Sequence, residues 1–240
     1  MLPQGPVFLV GSRSMLRFFR EVLRERFVET EKPMIAIVDY GMANLRSVEK
    51  ALQRVGGDAK ITSDPDVIAR AEKVVLPGVG AFCAAMSNLQ RSGLQEAVMQ
   101  HIRSGKPFLG ICLGLQMLFE ESTEMGTTSG LGVLPGRVRA FFEDGGYSDV
   151  SRLKVPHIGW NALHLTRPSK LLCGLQEGDR VYFVHSYFPC PADPSVVIAT
   201  STYGEEFCCA VEKENVAATQ FHPEKSGAVG LRILQNFVNW

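Results

Sequence analysis

With 240 residues, 45% of them hydrophobic and 21% charged, the chain is long enough for one sizeable globular domain and short for two. Its formal net charge is zero, which argues against nonspecific nucleic-acid binding, because nothing would drive counterion release from a phosphate backbone. Six cysteines (Cys83, Cys112, Cys173, Cys190, Cys208 and Cys209) show neither C-x-x-C pairs nor zinc-finger spacing, so reduced thiols in a cytoplasmic protein without a metal are expected.

Residues 1–33 stand apart as an N-terminal extension. They hold Arg13, Arg17, Arg20, Arg24 and Arg26, with no acid before Glu21. The spacing of Leu16, Phe19 and Leu23 suggests a short amphipathic helix that Pro33 closes. The apolar run Val7 to Val10 is too short to span a membrane. Glu21, Glu25, Glu29 and Glu31 speak against a transit peptide, leaving a misassigned start or a lineage-specific arm as the expectation. A single domain, 34–240, follows.

From Met34 onward, short apolar runs alternate with amphipathic stretches. Strands are expected over Met34 to Asp39, Ala59 to Thr62, Lys73 to Leu76 and Pro107 to Ile111, with helices over Leu45 to Val55 and Leu94 to Ser104. This strand-helix alternation, with Gly or Pro at the switches, predicts an α/β fold built on a doubly wound, mostly parallel sheet flanked by helices. The second half is richer in Val, Phe, Tyr and Thr. Its runs Gly136 to Phe142, Ala162 to Leu165, Arg180 to Val184, Val196 to Thr202 and Cys208 to Glu212 read as further strands, partly antiparallel, and Leu231 to Trp240 reads as a closing helix.

Two segments carry chemistry. Gly110-Ile-Cys112-Leu-Gly114 is a cysteine between two glycines at the end of an apolar run. It reads as a nucleophile elbow, in which small neighbours let the chain turn sharply and hold the nucleophile in a strained position. A helix expected over Leu113 to Phe119 would direct the positive end of its dipole at the sulfur and favour thiolate. A buried structural cysteine is the other reading of this segment taken alone. In Gln-Phe-His222-Pro-Glu224, a carboxylate two residues beyond a histidine would project to the same side of an extended chain and orient the imidazole. Cys112 and His222 are 110 residues apart, a separation only folding can close, as is usual for a thiolate and its base.

These two motifs resemble the class I (triad) glutamine amidotransferases. With Asp39-Tyr40-Gly-Met-Ala-Asn44, Pro77-Gly78-Val79-Gly80, Pro156-His157-Ile-Gly-Trp160-Asn161 and Tyr182-Phe-Val-His185-Ser186-Tyr187, the chain is similar, from about Met34 onward, to the glutaminase subunits of imidazole glycerol phosphate synthase. The resemblance implies a Cys112, His222 and Glu224 triad that hydrolyses L-glutamine, with no cofactor. It implies an oxyanion hole from the Leu113 N–H and the Gly78, Val79, Gly80 segment, whose glycines let a peptide approach the substrate or flip. It also implies that Gln116, with the backbone around Ser186 and Tyr187, holds the substrate. Trp160, Asn161, Tyr182 and Lys225 would face a cyclase subunit, a (β/α)₈ barrel, in a heterodimer that makes imidazole glycerol phosphate and the aminoimidazole carboxamide ribonucleotide AICAR for histidine synthesis. Read from the residues alone, Ser186, Tyr187 and His185 also suit a strand end, and Trp160 suits a core. The glutaminase of pyridoxal phosphate synthesis and a noncatalytic docking subunit are the competing readings; the intact triad weighs against the second, and the Asp39-Tyr40-Gly start and the Trp160 loop weigh against the first.

Overall fold

The computed structural model describes residues 33–143 and 153–240; the helix expected around Leu16, Phe19 and Leu23 lies outside them. The first half alternates as the sequence predicts. β1 (Met34–Val38), α1 (Leu45–Arg54), β2 (Asp58–Thr62), α2 (Pro65–Arg70) and β3 (Lys73–Gly78) are followed by α3 (Phe82–Arg91), α4 (Leu94–Arg103), β4 (Phe108–Cys112) and α5 (Leu113–Gln116). Then come β5 (Phe119–Ser122), β6 (Thr128–Ser129), β7 (Leu134–Ala140), β8 (His157–Ala162), β9 (His164–Leu165), β10 (Arg180–His185) and β11 (Tyr187–Pro191). The order closes with β12 (Val197–Tyr203), β13 (Glu205–Lys213), β14 (Val216–Thr219) and α6 (Gly227–Val238), with 3-10 turns at Pro194–Val196 and Pro223–Lys225.

An eight-stranded sheet in the order β2-β1-β3-β4-β14-β13-β12-β9 forms the centre. β2, β1, β3, β4 and β14 run parallel, and β13, β12 and β9 continue the sheet antiparallel. Beside it stand an antiparallel pair, β8 with β10, and a four-stranded sheet, β11-β7-β5-β6. Alternate residues of β1 serve the two faces: Ala36 and Val38 join one apolar cluster with Ile68, Leu89 and Val98, while Ile35 and Ile37 join the other with Leu52, Leu234 and Phe183. A strand buried on both faces reads as a continuous apolar run, and that is why Met34 to Val38 is uniformly apolar.

Several expected boundaries move. The helix expected over Leu113 to Phe119 is a single turn ending at Gln116, and Phe119 already belongs to β5. Leu163 separates β8 from β9 where one strand over Ala162 to Leu165 was expected. β7 stops at Ala140, and Phe141 turns inward to meet His185, Phe188 and Phe207. The closing helix begins at Gly227, four residues early, and ends at Val238.

Candidate active site

Three neighbouring parallel strands end together. In the ladder Gly78 of β3 lies opposite Cys112 of β4, and Ile111 lies opposite Thr219 of β14. The β3 loop, the elbow and the Gln220-Phe221-His222 segment therefore emerge side by side at the carboxyl edge, the place where ligands bind in open α/β sheets. The elbow geometry is as expected: Cys112 has φ 55° and ψ −108°, a conformation that residues other than glycine rarely adopt. Its glycines are there for clearance. A Cβ on Gly114 would overlap the Leu76 carbonyl oxygen, and one on Gly110 would lie 2.7 Å from the Gly114 carbonyl oxygen.

His222 follows from β14, and its N–H donates to the Tyr182 carbonyl of β10 at 3.0 Å. The Ser226 hydroxyl donates to the His222 carbonyl at 2.6 Å and accepts the Tyr182 N–H at 2.9 Å, so one small side chain ties the histidine segment to β10. Glu224 Oε1 accepts from His222 Nδ1 at 2.8 Å, with both side chains buried. The pairing is the expected one, but its local cause is not an extended segment: Pro223–Lys225 is a 3-10 turn that folds the carboxylate back under the ring. With Nδ1 held, Nε2 makes no hydrogen bond of ordinary geometry among the described residues. Burial by itself holds the imidazole pKa down, yet hydrogen bonding and charge from Cys112 and Glu224 outweigh it and push the value up to about 10. The site thus favours an imidazolium facing the sulfur.

The Cys112 sulfur does not sit at the end of a long helix as the sequence suggested. α5 is one turn, too short to sum many peptide dipoles. What approaches the sulfur instead is Gln220 Nε2, at 3.7 Å. Gln220 is fully buried and was not singled out in the sequence.

A cavity of about 330 Å³ opens over the thiol, lined by Val79, Gly80, Cys112, Leu113, Gln116 and Glu124 on one part of its wall, and by Pro156, His185, Ser186, Tyr187 and His222 on another. It lies at the small end of ligand pockets, which run from about 300 to 1,000 Å³. Of the expected oxyanion residues, Val79, Gly80 and Leu113 line it, and Gly78 does not: it is packed beneath, where a Cβ would meet Tyr40 Oη and Leu113 Cβ. The Val79 N–H donates to the Met42 carbonyl at 3.1 Å. Presenting it to a substrate requires breaking that bond, a net cost of about 0.5–1.5 kcal/mol. Gln116, Ser186 and Tyr187 are on the wall as expected, with Gln116 Nε2 donating to the Tyr187 carbonyl at 2.9 Å.

Glu124 is on that wall too and was missed, since it sits in an acidic stretch with no distinctive spacing. One of its oxygens accepts the Phe82 N–H at 2.7 Å, capping α3. Trp160, Tyr182 and Lys225 are outside the cavity on an adjoining face, whereas Asn161, also outside the cavity, turns its side chain to the other side of β8, toward the Thr202 carbonyl and His157. Trp160 is 48% exposed and opposes Tyr182 across β8 and β10, their rings 6.2 Å apart, and Lys225 Nζ lies 6.0 Å from the Tyr182 ring. Ile158, 60% exposed, extends the same surface. Trp160 is not core. Among the described residues no group of His, Cys, Asp or Glu has the geometry of a metal site, and no helix is long and apolar enough to cross a membrane.

A thiol on a strained turn with an imidazole and its carboxylate close by is the equipment of a thiol-dependent hydrolase. The chain belongs to the class-I glutamine amidotransferases, whose family model matches residues 36–240. Curated relatives narrow the comparison. The chain is 56% identical over 204 residues, 85% of its length and 98% of the relative's, to the imidazole glycerol phosphate synthase subunit HisH of Syntrophotalea carbinolica. It is 54% identical, over 85% of this chain and 97% of the relative, to the subunit of that name from Geobacter sulfurreducens. Among solved structures, PurLQS of Thermotoga maritima shares the fold with a TM-score of 0.67 at 20% identity, over 87% of this chain and 98% of that one.

Proposed function

We propose that this chain is the glutaminase subunit of imidazole glycerol phosphate synthase, hydrolysing L-glutamine to glutamate and ammonia for histidine biosynthesis. The observation that carries the catalytic assignment is the meeting of Cys112, His222 and Glu224 at the ends of adjacent strands over one cavity. The high identity to subunits of that name carries the pathway.

The Cys112 thiolate attacks the carboxamide carbon of the substrate, forming the C–S bond and an oxyanion. The Leu113 N–H is one donor to that oxygen. The second comes from the Val79 peptide once its N–H turns from Met42, and a missing donor of this kind typically costs about 10²–10³ in rate. His222, held by Glu224, gives its Nε2 proton to the leaving nitrogen as the C–N bond breaks, leaving a γ-glutamyl thioester. The now neutral ring takes a proton from water, which attacks the thioester and frees glutamate. Gln116 and the Ser186–Tyr187 backbone hold the amino-acid end of the substrate, with the Glu124 carboxylate suited to its ammonium group.

Ammonia in bulk water near neutral pH becomes largely unreactive ammonium, so it must pass directly to a second active site. The exposed apolar face of Ile158 and Trp160 adjoins the cavity and suits docking of a (β/α)₈ cyclase subunit, with Tyr182 and Lys225 beside it. The cytoplasm is the compartment that fits six unpaired cysteines.

Cys112→Ala tests the assignment. In the complex with the cyclase it should abolish glutamine-dependent synthesis and leave synthesis from added ammonium intact. Loss of both activities would point to a folding or docking defect, and retention of both would remove Cys112 from the chemistry.

A further inference from the structure

The Tyr187 carbonyl oxygen takes hydrogen bonds from two side chains, His185 Nδ1 at 2.9 Å and Gln116 Nε2 at 2.9 Å. A carbonyl can only accept, so both partners donate there, and that requirement orients every group beyond them. Toward the thiol, the same Gln116 nitrogen meets Gln220 at 3.1 Å, so the atom it meets is the Gln220 oxygen, and the Gln220 amide nitrogen is turned to Cys112 Sγ. Toward the surface, a neutral His185 protonated on Nδ1 has a bare Nε2, so His157 Nδ1, 3.1 Å away, carries the shared proton. His157 Nε2 is then an acceptor, and Asn161 Nδ2 lies 3.4 Å from it. Asn161 is itself oriented by backbone, donating to the Thr202 carbonyl at 2.8 Å and accepting the Ala162 N–H at 2.8 Å.

No member of this chain of contacts conflicts with its neighbour. Gln116, Gln220, His157 and His185 are all buried, where a reversed amide or a second ring proton would leave an unmatched polar atom. Burial agrees: it pushes His157 down to about 4 and His185 to about 3, so both rings are neutral at pH 7.

We propose that these side chains form a positioning relay from the β8 face to the nucleophile: His157 and His185 hold the Tyr187 carbonyl and Gln116 so that Gln220 presents an N–H to the Cys112 sulfur. Gln220 touches the reacting atom and is a catalytic residue; His157 and His185 act through others and position it. The relay rests on Cys112 being the nucleophile. Its outermost member, Asn161, is fixed by backbone on the side of β8 opposite Trp160.

The test is the pH dependence of Cys112 alkylation by iodoacetamide in the full chain, followed by mass spectrometry of the Cys112 peptide. The other titratable groups facing the sulfur or its cavity, His222 with Glu224, Tyr40, Tyr187 and Glu124, are left intact in every variant. Gln220→Leu removes the donor and should raise the midpoint by about one pH unit, the scale of one hydrogen bond to an ion. Gln220→Glu, nearly isosteric, should raise it further and serves if the leucine variant does not fold. His185→Leu should shift the midpoint the same way, and His185→Asn, whose amide nitrogen can take the place of Nδ1, should restore most of it. A midpoint unmoved in the folded Gln220 variants, or His185→Asn no better than His185→Leu, would overturn the relay. Failure of the nucleophile assignment looks different: Cys112→Ala would keep glutamine turnover, and wild-type Cys112 would alkylate no faster than the exposed Cys173.

Discussion

At Cys112 the backbone is held in a conformation that costs on the order of 1–3 kcal/mol, and the surrounding glycines are what make it attainable. His222 adds an electrostatic contribution whose pH dependence has a definite sign. Its folded pKa, about 10, is raised above the ordinary 6.5, so its stabilisation is full below pH 6.5 and is lost as pH rises through about 10. Removing the carboxylate that supports it, in Glu224→Gln, should therefore lower the melting temperature most near pH 6, with the gap to wild type narrowing as pH approaches 10. A gap that is constant over that range in thermal melts would mean the pair contributes packing alone. The triad was legible in the sequence because its residue types and local spacing are themselves the signal. Gln220, Ser226 and Glu124 were not, since each acts on a partner that only tertiary packing supplies: Gln220 lies 108 positions from the sulfur it approaches, and Glu124 lies 42 from the amide it caps.

The elements show the same division. Periodicity found β1, β3, β4, α1 and α4 to within a few residues, because each is an apolar run or stripe bounded by Gly, Pro or a polar turn. α3 escaped. Its first residue follows Ala81, which offers no side-chain cap, and the capping oxygen belongs to Glu124. α5 was read as too long because Met117, Leu118 and Phe119 continue an apolar pattern whether they coil or extend. The end of α6 is closed in a way no local pattern reveals: buried Lys73, at the start of β3, donates from Nζ to the Phe237, Val238 and Trp240 carbonyls at 3.1, 2.8 and 2.8 Å. Phe237 and Val238 close the helix and Trp240 lies just beyond it, and a cation there also meets the negative end of the helix. Lys73→Met should cost about 1.5–3 kcal/mol in denaturant unfolding. A change below about 0.5 kcal/mol would show that the carbonyls find water equally well.

At the scale of the molecule, the parallel sheet and its antiparallel continuation were both legible from where the chain changes from helix-strand alternation to Val-, Phe- and Thr-rich runs. The grouping of strands into three sheets was not, because β8 with β10, and β11 with β7, are pairings that depend on long-range register. On the face those pairs create, Trp160→Ala should weaken association with the cyclase subunit by about tenfold or more, as truncation of a buried interface anchor does, and should lower the coupling of ammonia release to synthesis. Titration calorimetry with the two subunits checks the first and paired product assays the second, and no change in either would take Trp160 out of the interface. The sheet order also has a consequence for synthesis on the ribosome. β14 is made after every other described strand, yet it lies in the middle of the large sheet, between β4 and β13. Until it emerges, the sheet has a gap beside the elbow and the imidazole does not yet exist. A chain translated only through β13 therefore carries the cysteine of the site without the histidine that folding later sets beside it.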